Sequence, residues 1–134
     1  MLTDEQRQDL IQRAIEARQW AYAPYSKYPV GAALLADSGK VYTGVNVENA
    51  AYPTGICAER VAVHKAVSEG ERQFEAIAVV TANGGTPCGS CRQVLAEFGL
   101  DTLVIVADDQ GRIVLEKDIA SLLPGAFQPD DLNV

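Results

Sequence analysis

The sequence predicts one α/β domain over residues 1–134, because helical and strand patterns alternate along most of the chain. Apolar residues at helical spacing open the chain, β-branched apolar runs recur after them, and glycine, proline and asparagine separate these segments. With 48% hydrophobic and 22% charged residues, the composition is that of an ordinary globular protein. Disordered and fibrous classes are therefore excluded.

The first part of the chain predicts a helix followed by a strand hairpin. TDEQ at residues 3–6 matches a capping box, which marks a helix start. Apolar residues then recur at helical spacing toward Trp20: Leu10, Ile11, Ala14 and Ile15. After two prolines, residues 30–35 and 41–47 have strand composition, and DSGK at 37–40 is a hairpin signal. We expect these two strands to be antiparallel neighbours.

The rest of the chain predicts alternating helices and strands. Helices are predicted at residues 57–68 and 88–98, each followed by a glycine that favours helix termination. The predicted strands are apolar and β-branched: residues 76–82, 102–107 and a short one at 112–115. A small helical piece ending at the LPG of residues 123–125 comes last.

The charge balance limits the kinds of partner. Eleven Lys and Arg against eighteen Asp and Glu give a net charge of −7, which disfavours binding to nucleic acid polymers. No apolar run approaches the roughly 20 residues that cross a bilayer, and the first residues lack a basic stretch followed by an apolar one. We therefore expect a cytoplasmic protein with no membrane partner and a small, weakly charged substrate.

The three cysteines serve metal binding, redox chemistry or plain packing. An odd number cannot form a complete disulfide framework within the chain, so a reducing compartment is expected. Cys57, Cys88 and Cys91 lie at the starts of two predicted helices, where free N–H groups favour thiolates. Structural zinc usually has four protein ligands, whereas catalytic zinc has three and an open position. The three thiols therefore predict an open, reactive zinc site.

His64 is not expected to complete this site. It lies seven residues after Cys57, roughly 10 Å further along the same helix. A surface or core-edge histidine is the expectation.

The motif around Glu59 indicates a role for this residue. Alone, a glutamate in the first turn of a helix is common, because the helix dipole favours negative charge there. Here Cys57 and Glu59 form Cys-x-Glu, and Pro-Cys-x-x-Cys follows at residues 87–91. This combination resembles the signature of zinc nucleobase deaminases, whose first ligand is His or Cys. We therefore expect Glu59 to act as an acid and base beside the metal.

Further motifs resemble the small homotetrameric cytidine deaminases and together cover nearly the whole chain. They are PYS at 24–26, VGAAL at 30–34, NVENAAY at 46–52, CAER at 57–60, PCGSCRQV at 87–94 and LLPGAF at 122–127. The resemblance implies a three-layered α-β-α sandwich with a mixed five-stranded sheet and one zinc ion per subunit. It also implies hydrolysis of cytidine and 2′-deoxycytidine to uridine and 2′-deoxyuridine in pyrimidine salvage, with release of ammonia.

The resemblance implies roles for residues around the zinc. Glu59 would shuttle protons, Asn46 and Glu48 would bind the ribose, and the backbone of Ala58 would orient the pyrimidine. Arg60 would donate to the zinc-bound thiolates, and its charge would offset part of theirs. Taken alone, Asn46 and Glu48 would be read as polar residues at a strand end.

Two aromatic residues complete the set of expected substrate contacts. Tyr28 stands where the family often has phenylalanine, so it retains a face for base stacking and adds a hydroxyl that needs a partner. Phe127 would reach the active site of a neighbouring subunit, and packing on its own domain is the alternative. PTGI at residues 53–56 also differs from typical members and lies close to the expected pocket.

Two other functions remain open at this stage. CGSC at residues 88–91, at a helix start, also fits a thioredoxin-like redox motif, although this leaves Cys57 and Glu59 unexplained. A deaminase fold that only binds ligand, or that acts on another aminopyrimidine such as a nucleoside antibiotic, is the second alternative. Glu59 disfavours lost catalysis, and NVEN at residues 46–49 favours a ribose-bearing ligand.

Overall fold

A computed structural model describes residues 1–132, which contain a five-stranded sheet and four α-helices. The strands are β1 (Gly31–Ala36), β2 (Val41–Val45), β3 (Phe74–Val80), β4 (Leu103–Ala107) and β5 (Ile113–Asp118). The helices are α1 (Asp4–Arg18), α2 (Ala58–Ser68), α3 (Gly89–Ala96) and α4 (Ile119–Leu122). Two short 3₁₀ turns lie at Tyr52–Thr54 and Pro129–Leu132.

The sheet is mixed, with strand order β2-β1-β3-β4-β5. Only β3 and β4 are parallel, because α3 connects them and returns the chain to the same edge of the sheet. The other pairs are antiparallel, and β1 and β2 form the expected hairpin. The predicted α/β class with a mixed five-stranded sheet is confirmed.

Helices cover both faces of the sheet. On one face, α1 packs Leu10, Ile11 and Ala14 against β1, β3 and β4. On the other face, α2, α3 and α4 pack against the same strands. All six residues of β1 are buried as a result, since both of its faces are covered. Among residues 1–132, no helix is long and apolar enough to cross a lipid bilayer.

The N-terminus of α1 has the capping box that the sequence predicts. The Gln6 backbone N–H donates to the Thr3 hydroxyl oxygen, and the Thr3 N–H donates to the Gln6 side chain, both at 3.0 Å. The helix ends at Arg18, before Trp20, and the Trp20 side chain is 76% exposed. The expectation that the apolar face runs toward Trp20 is therefore wrong, because Trp20 lies in the turn after the helix and not on its buried face.

A close approach between β2 and α2 positions the start of α2. A Cβ atom at Gly44 would lie 2.6 Å from the backbone nitrogen of Ala62 and closer still to the carbonyl oxygen of Ala58. Only glycine leaves room for the helix backbone to lie on the strand at this point. Because Ala58 opens α2, this contact also places Cys57 and Glu59.

Replacing Gly44 by alanine should push α2 away from the sheet. Overpacking of this kind typically costs about 1–3 kcal/mol in the free energy of unfolding, which urea denaturation can measure. Thr43→Ala, one residue earlier on the same strand and partly exposed, is the control and should change this free energy by less than about 0.5 kcal/mol. Equal stability of the Gly44→Ala protein and the wild type would contradict the close approach.

Candidate metal centre and active site

The three cysteines meet where two helices begin. Cys57 is the N-cap residue of α2 and Cys88 is the N-cap residue of α3, both with extended backbone angles. Neither thiol makes a capping hydrogen bond, so both sulfur atoms stay available as ligands. Cys91 follows in the first turn of α3 and is fully buried. Two helix N-termini therefore present their positive dipole ends to the same three sulfur atoms.

The spacing of the sulfur atoms fits a zinc ion. The Sγ atoms of Cys57 and Cys88 lie 3.9 Å apart, those of Cys88 and Cys91 lie 3.5 Å apart, and all three lie within 4.8 Å of one another. Zinc–sulfur bonds of about 2.3 Å in tetrahedral geometry place sulfur atoms about 3.8 Å apart. Three thiols also leave one of the four tetrahedral positions open, as catalytic zinc requires.

The electrostatics of the cluster favour the thiolate form of Cys57 and disfavour that of Cys91. Hydrogen bonding with the Cys91 thiol and with the Arg60 guanidinium lowers the pKa of Cys57 to about 5. The same hydrogen bond with Cys57, together with burial, raises the pKa of Cys91. One arm of Arg60, Nη2, lies 3.5 Å from the Cys57 sulfur, and its Nε is buried without a hydrogen-bond partner in residues 1–132. The Cys57 sulfur is therefore the negatively charged partner of this guanidinium.

Glu59 lies in the first turn of α2 with its side chain 5% exposed. Burial disfavours the charged carboxylate and raises the pKa of Glu59, and the charge on Cys57 acts in the same direction. Glu59 therefore combines a position beside the thiols with a carboxyl group that holds a proton more readily than an exposed glutamate does.

A cavity of about 440 Å³ opens over the thiols. Residues from four segments line it, within the ranges 26–30, 46–48, 52–60 and 79–88. Glu59, Cys57 and Cys88 are all among the lining residues. The volume is that of a site for a small molecule. The cavity therefore gives a ligand direct access to the metal ligands and to the buried carboxyl group.

Asn46 and Glu48 form part of the cavity wall and hold the chain opposite them. The Asn46 side chain accepts from the Val30 N–H at 2.9 Å and donates to the Tyr28 carbonyl at 3.0 Å. The Glu48 carboxylate accepts from the hydroxyl and the N–H of Ser26 and from the N–H of Tyr25, and these bonds lower its pKa. Glu48 is therefore ionised at neutral pH and fixed in direction.

Tyr28 and the segment before Cys57 also line the cavity. The Tyr28 hydroxyl donates to Asn83 Oδ1 at 2.7 Å, which supplies the partner that the sequence requires. Gly55 and Ile56 lie on the cavity wall directly after the 3₁₀ turn at Tyr52–Thr54. The unusual PTGI segment therefore contributes to the shape of the cavity, as its position in the sequence indicates.

Two residues discussed in the sequence analysis lie outside this cavity. Phe127 is 55% exposed and does not line the cavity of its own chain, and its carbonyl accepts from the Gln93 side chain at 2.8 Å. His64 lies in a separate hollow between α2 and α3, together with Val67 and Phe98. It is not part of the thiol cluster.

Arg92 and Asn83 are the residues that sequence reasoning missed. Arg92 donates to the Pro87 carbonyl at 2.9 Å, to the Leu122 carbonyl at 2.7 Å and to the Thr86 hydroxyl at 3.3 Å, which fixes the loop before Cys88. The signal for Arg92 was its position directly after the cysteine motif. Asn83 gave no signal in the sequence, since its partner Tyr28 is far away along the chain.

Comparisons with known proteins agree with this geometry. Residues 4–107 match the family model described as the cytidine and deoxycytidylate deaminase zinc-binding region. A cytidine deaminase from Sporosarcina psychrophila is 50% identical over 126 residues, which cover 92% of this chain and 93% of that protein. A cytidine deaminase from Halalkalibacterium halodurans is 52% identical over 130 residues, which cover 95% of this chain and 98% of that protein.

Solved structures show the same fold. The crystal structure of cytidine deaminase from Burkholderia pseudomallei matches with a TM-score of 0.86 at 44% identity, covering 94% of this chain and 100% of that chain. The chain therefore belongs to the cytidine and deoxycytidylate deaminase family. The resemblance drawn from the sequence motifs is confirmed at this level. The zinc cofactor is confirmed too, since the family match is to a zinc-binding region and the three thiols are positioned for a metal.

The purified protein should contain about one zinc ion per chain. Cys91→Ser should bind zinc at least about tenfold more weakly, because a neutral hydroxyl replaces a buried thiolate ligand. Elemental analysis after dialysis against a chelator measures this change. The control is His64→Ala, which removes the chain's one histidine and should leave the zinc content unchanged. A loss of zinc in the histidine variant would contradict the three-thiol site.

Proposed function

We propose that this chain catalyses the zinc-dependent hydrolytic deamination of cytidine and 2′-deoxycytidine. The observation that carries the proposal is a cluster of three thiols, two of which, Cys57 and Cys88, line one cavity together with the buried carboxyl group of Glu59. The names of the relatives support the choice of substrate, since proteins 50% and 52% identical to this chain are cytidine deaminases. The products are uridine or 2′-deoxyuridine and ammonia, as pyrimidine salvage requires.

Cys57, Cys88 and Cys91 are the proposed zinc ligands. A zinc ion held there supplies Lewis-acid chemistry and lowers the pKa of a water molecule in its open position to near neutrality. The residues of the chain do the remaining work. Arg60 sits against the Cys57 sulfur and partly neutralises the negative charge of three thiolates.

Glu59 is the proposed proton shuttle. It accepts a proton from the attacking water and delivers it to ring N3 of the cytosine. A C4–O bond forms as the water oxygen attacks C4. Glu59 then passes the second water proton to the amino group, the C4–N bond breaks, and ammonia leaves. Burial raises the pKa of Glu59 and so favours the protonated form that donates to the substrate.

The opposite wall of the cavity is the proposed site for the sugar. Glu48 is ionised and fixed by Ser26 and Tyr25, so it presents a directed acceptor to a ribose hydroxyl. Asn46 uses one donor and one acceptor on the backbone, and an amide has a second of each for the ligand. The Ala58 backbone at the start of α2 orients the pyrimidine, and the ring of Tyr28 stacks on it.

The proposal includes a homotetramer in the cytoplasm. Phe127 is half-exposed and outside the cavity of its own chain, which supports a contact with the active site of a neighbouring subunit. Three free thiols support a reducing compartment. A nucleoside is the proposed partner, and no nucleic acid polymer or membrane takes part.

Glu59→Gln should retain zinc and lose at least about a thousandfold in kcat, because the amide keeps the shape of the side chain but cannot shuttle protons. The measurement is conversion of cytidine to uridine followed by ultraviolet absorbance, with zinc determined on the same sample. Glu69→Gln, an exposed carboxyl group at the other end of α2, is the matched control and should keep wild-type turnover.

Wild-type protein that contains zinc and releases no ammonia from cytidine would refute the proposed substrate. Cycling of Cys88 and Cys91 as a disulfide in zinc-free protein would favour the redox alternative.

Phe127→Ala should raise KM, because the neighbouring subunit loses an aromatic wall of its pocket. The decisive test unfolds and refolds Phe127→Ala together with Glu59→Gln. If Phe127 acts between subunits, some mixed sites combine an intact Glu59 with an intact Phe127, and activity exceeds the sum of the two separate proteins. Simple dilution of activity would show that Phe127 acts within its own chain.

The wild-type protein should have a mass in solution near four times 14.4 kDa, the mass of a homotetramer.

A further inference from the structure

Tyr28 is held by hydrogen bonds at its backbone and at its hydroxyl. Its N–H donates to the Ser26 hydroxyl oxygen at 3.1 Å, and its carbonyl accepts from the Asn46 side chain at 3.0 Å. Its hydroxyl donates to Asn83 Oδ1 at 2.7 Å. The preceding residue, Lys27, has a backbone φ of 58°, which is uncommon for a residue other than glycine. The Tyr28 ring is therefore fixed in direction as it lines the cavity.

Asn83 connects this hydroxyl to the loop after β3. The Thr81 hydroxyl donates to Asn83 Oδ1 at 3.4 Å, and the same Thr81 oxygen accepts from the Gly85 N–H at 2.7 Å. Tyr28, Thr81, Asn83 and Gly85 thus form one connected set, the loop network. Thr81 is buried, so its hydrogen bonds are shielded from water.

The loop network ends close to the metal ligands. Gly85 and Thr86 line the cavity, and Cys88 follows them. Arg92 holds the far side of this loop through the Thr86 hydroxyl and the Pro87 carbonyl. The loop is therefore fixed on one side by α3 and on the other by the Tyr28 hydroxyl. Without that hydroxyl, residues 82–86 would lose the hydrogen bond that joins them to Tyr28 across the cavity.

Hydrogen bonds also continue from Tyr28 in the other direction. The Ser26 hydroxyl that accepts from the Tyr28 N–H donates to the Glu48 carboxylate. An unbroken series therefore runs from Glu48, on the proposed sugar side, to Gly85, on the side of the metal ligands. Such a series fixes the distance between the two cavity walls, and a nucleoside would lie between these walls.

Gly85 and the Tyr28 hydroxyl fit one another sterically. A Cβ atom at Gly85 would collide with the Tyr28 hydroxyl oxygen, whereas the Tyr28 ring carbon Cζ would be 3.4 Å away, close to an ordinary contact. The next atom, the Thr81 hydroxyl oxygen, would be 3.7 Å away. Gly85 does not have a positive φ, so its backbone accepts alanine. Among the neighbouring atoms, only the Tyr28 hydroxyl oxygen lies too close for a Cβ atom at this position.

We propose that the Tyr28 hydroxyl is a positioning group that acts through Asn83 and Gly85 to fix the loop over the cytosine end of the cavity. This role is separate from any stacking by the Tyr28 ring and depends on the proposed deaminase function. Phenylalanine would supply the ring without the positioning contact. The hydroxyl therefore sets the placement of the base relative to Glu59, which affects turnover more than binding.

Tyr28→Phe removes only this oxygen atom. We expect kcat/KM for cytidine to fall about threefold to tenfold, the effect of one net hydrogen bond, with most of the change in kcat and with zinc content unchanged. Asn83→Ala should give a similar loss. The double variant should be no worse than either single one, because both substitutions break the same contact.

Gly85→Ala provides the sharper test. Alone, it should lower kcat/KM by at least about tenfold, because the new Cβ displaces the loop or the Tyr28 ring. In the Tyr28→Phe background the colliding oxygen is absent, so adding Gly85→Ala should cost at least about threefold less than it costs in the wild type. Relief of one substitution by another at a contact is a result that general destabilisation does not produce.

Tyr42→Phe is the matched control. It also removes a tyrosine hydroxyl that donates a hydrogen bond, here to Glu71 at 2.9 Å, but Tyr42 does not line the cavity. It should lower the melting temperature and leave kcat/KM unchanged. An equal loss of kcat/KM in Tyr42→Phe would show that the effect of Tyr28→Phe is general destabilisation.

Three results would overturn the positioning role. The first is wild-type kinetics in Tyr28→Phe, and the second is a double variant whose loss of kcat/KM equals the product of the losses in Tyr28→Phe and Asn83→Ala. The third is a loss of kcat/KM on Gly85→Ala that is the same with Tyr28 and with phenylalanine at position 28. Inactivity of the wild-type protein toward cytidine would instead refute the proposed function. In that case the same variants, compared by melting temperature, still decide whether Tyr28, Asn83 and Gly85 are coupled. Independent effects on the melting temperature would overturn the loop network itself.

Discussion

The close meeting of two helix N-termini is the constraint on which the rest of the structure depends. Three sulfur atoms within 4.8 Å require that α2 and α3 begin at the same edge of the sheet. The parallel pair of β3 and β4 brings α3 to that edge, and Gly44 lets α2 lie directly on β2. The covering of both sheet faces then supplies the apolar burial that stabilises this arrangement.

The cavity is rigid because its polar residues are tied to backbone groups before any ligand binds. The side chains of Asn46 and Glu48 together make five hydrogen bonds with residues 25–30. Arg92 fixes the loop that leads to Cys88 through hydrogen bonds to the Pro87 carbonyl and the Thr86 hydroxyl. Groups that are already oriented need no reorganisation during the reaction, which is the main way that proteins stabilise developing charge. The cost is that these side chains are structural as well as functional.

The sequence predicts local features well and long-range contacts poorly. The capping box at Thr3, the hairpin and the two cysteine-bearing helix starts depend on neighbouring residues and are confirmed. The family and the zinc cofactor follow from a spaced motif and are confirmed as well. The contact of Tyr28 with Asn83 joins residues distant in the chain, so no local pattern indicates it. The roles of Asn46, Glu48, Ala58 and Phe127 toward a substrate stay predictions, because they concern a ligand or a second subunit.

The loop from Glu48 to Gly55 has a closed base. Val47 and Ile56 exchange two backbone hydrogen bonds of 3.0 Å, and Tyr22 pairs with Val47 on the other side. These paired residues separate the loop from Cys57, and the loop residues Tyr52 and Gly55 line the cavity. A substitution at Gly55 can therefore reshape the entrance of the cavity while the two hydrogen bonds at the base of the loop stay in place.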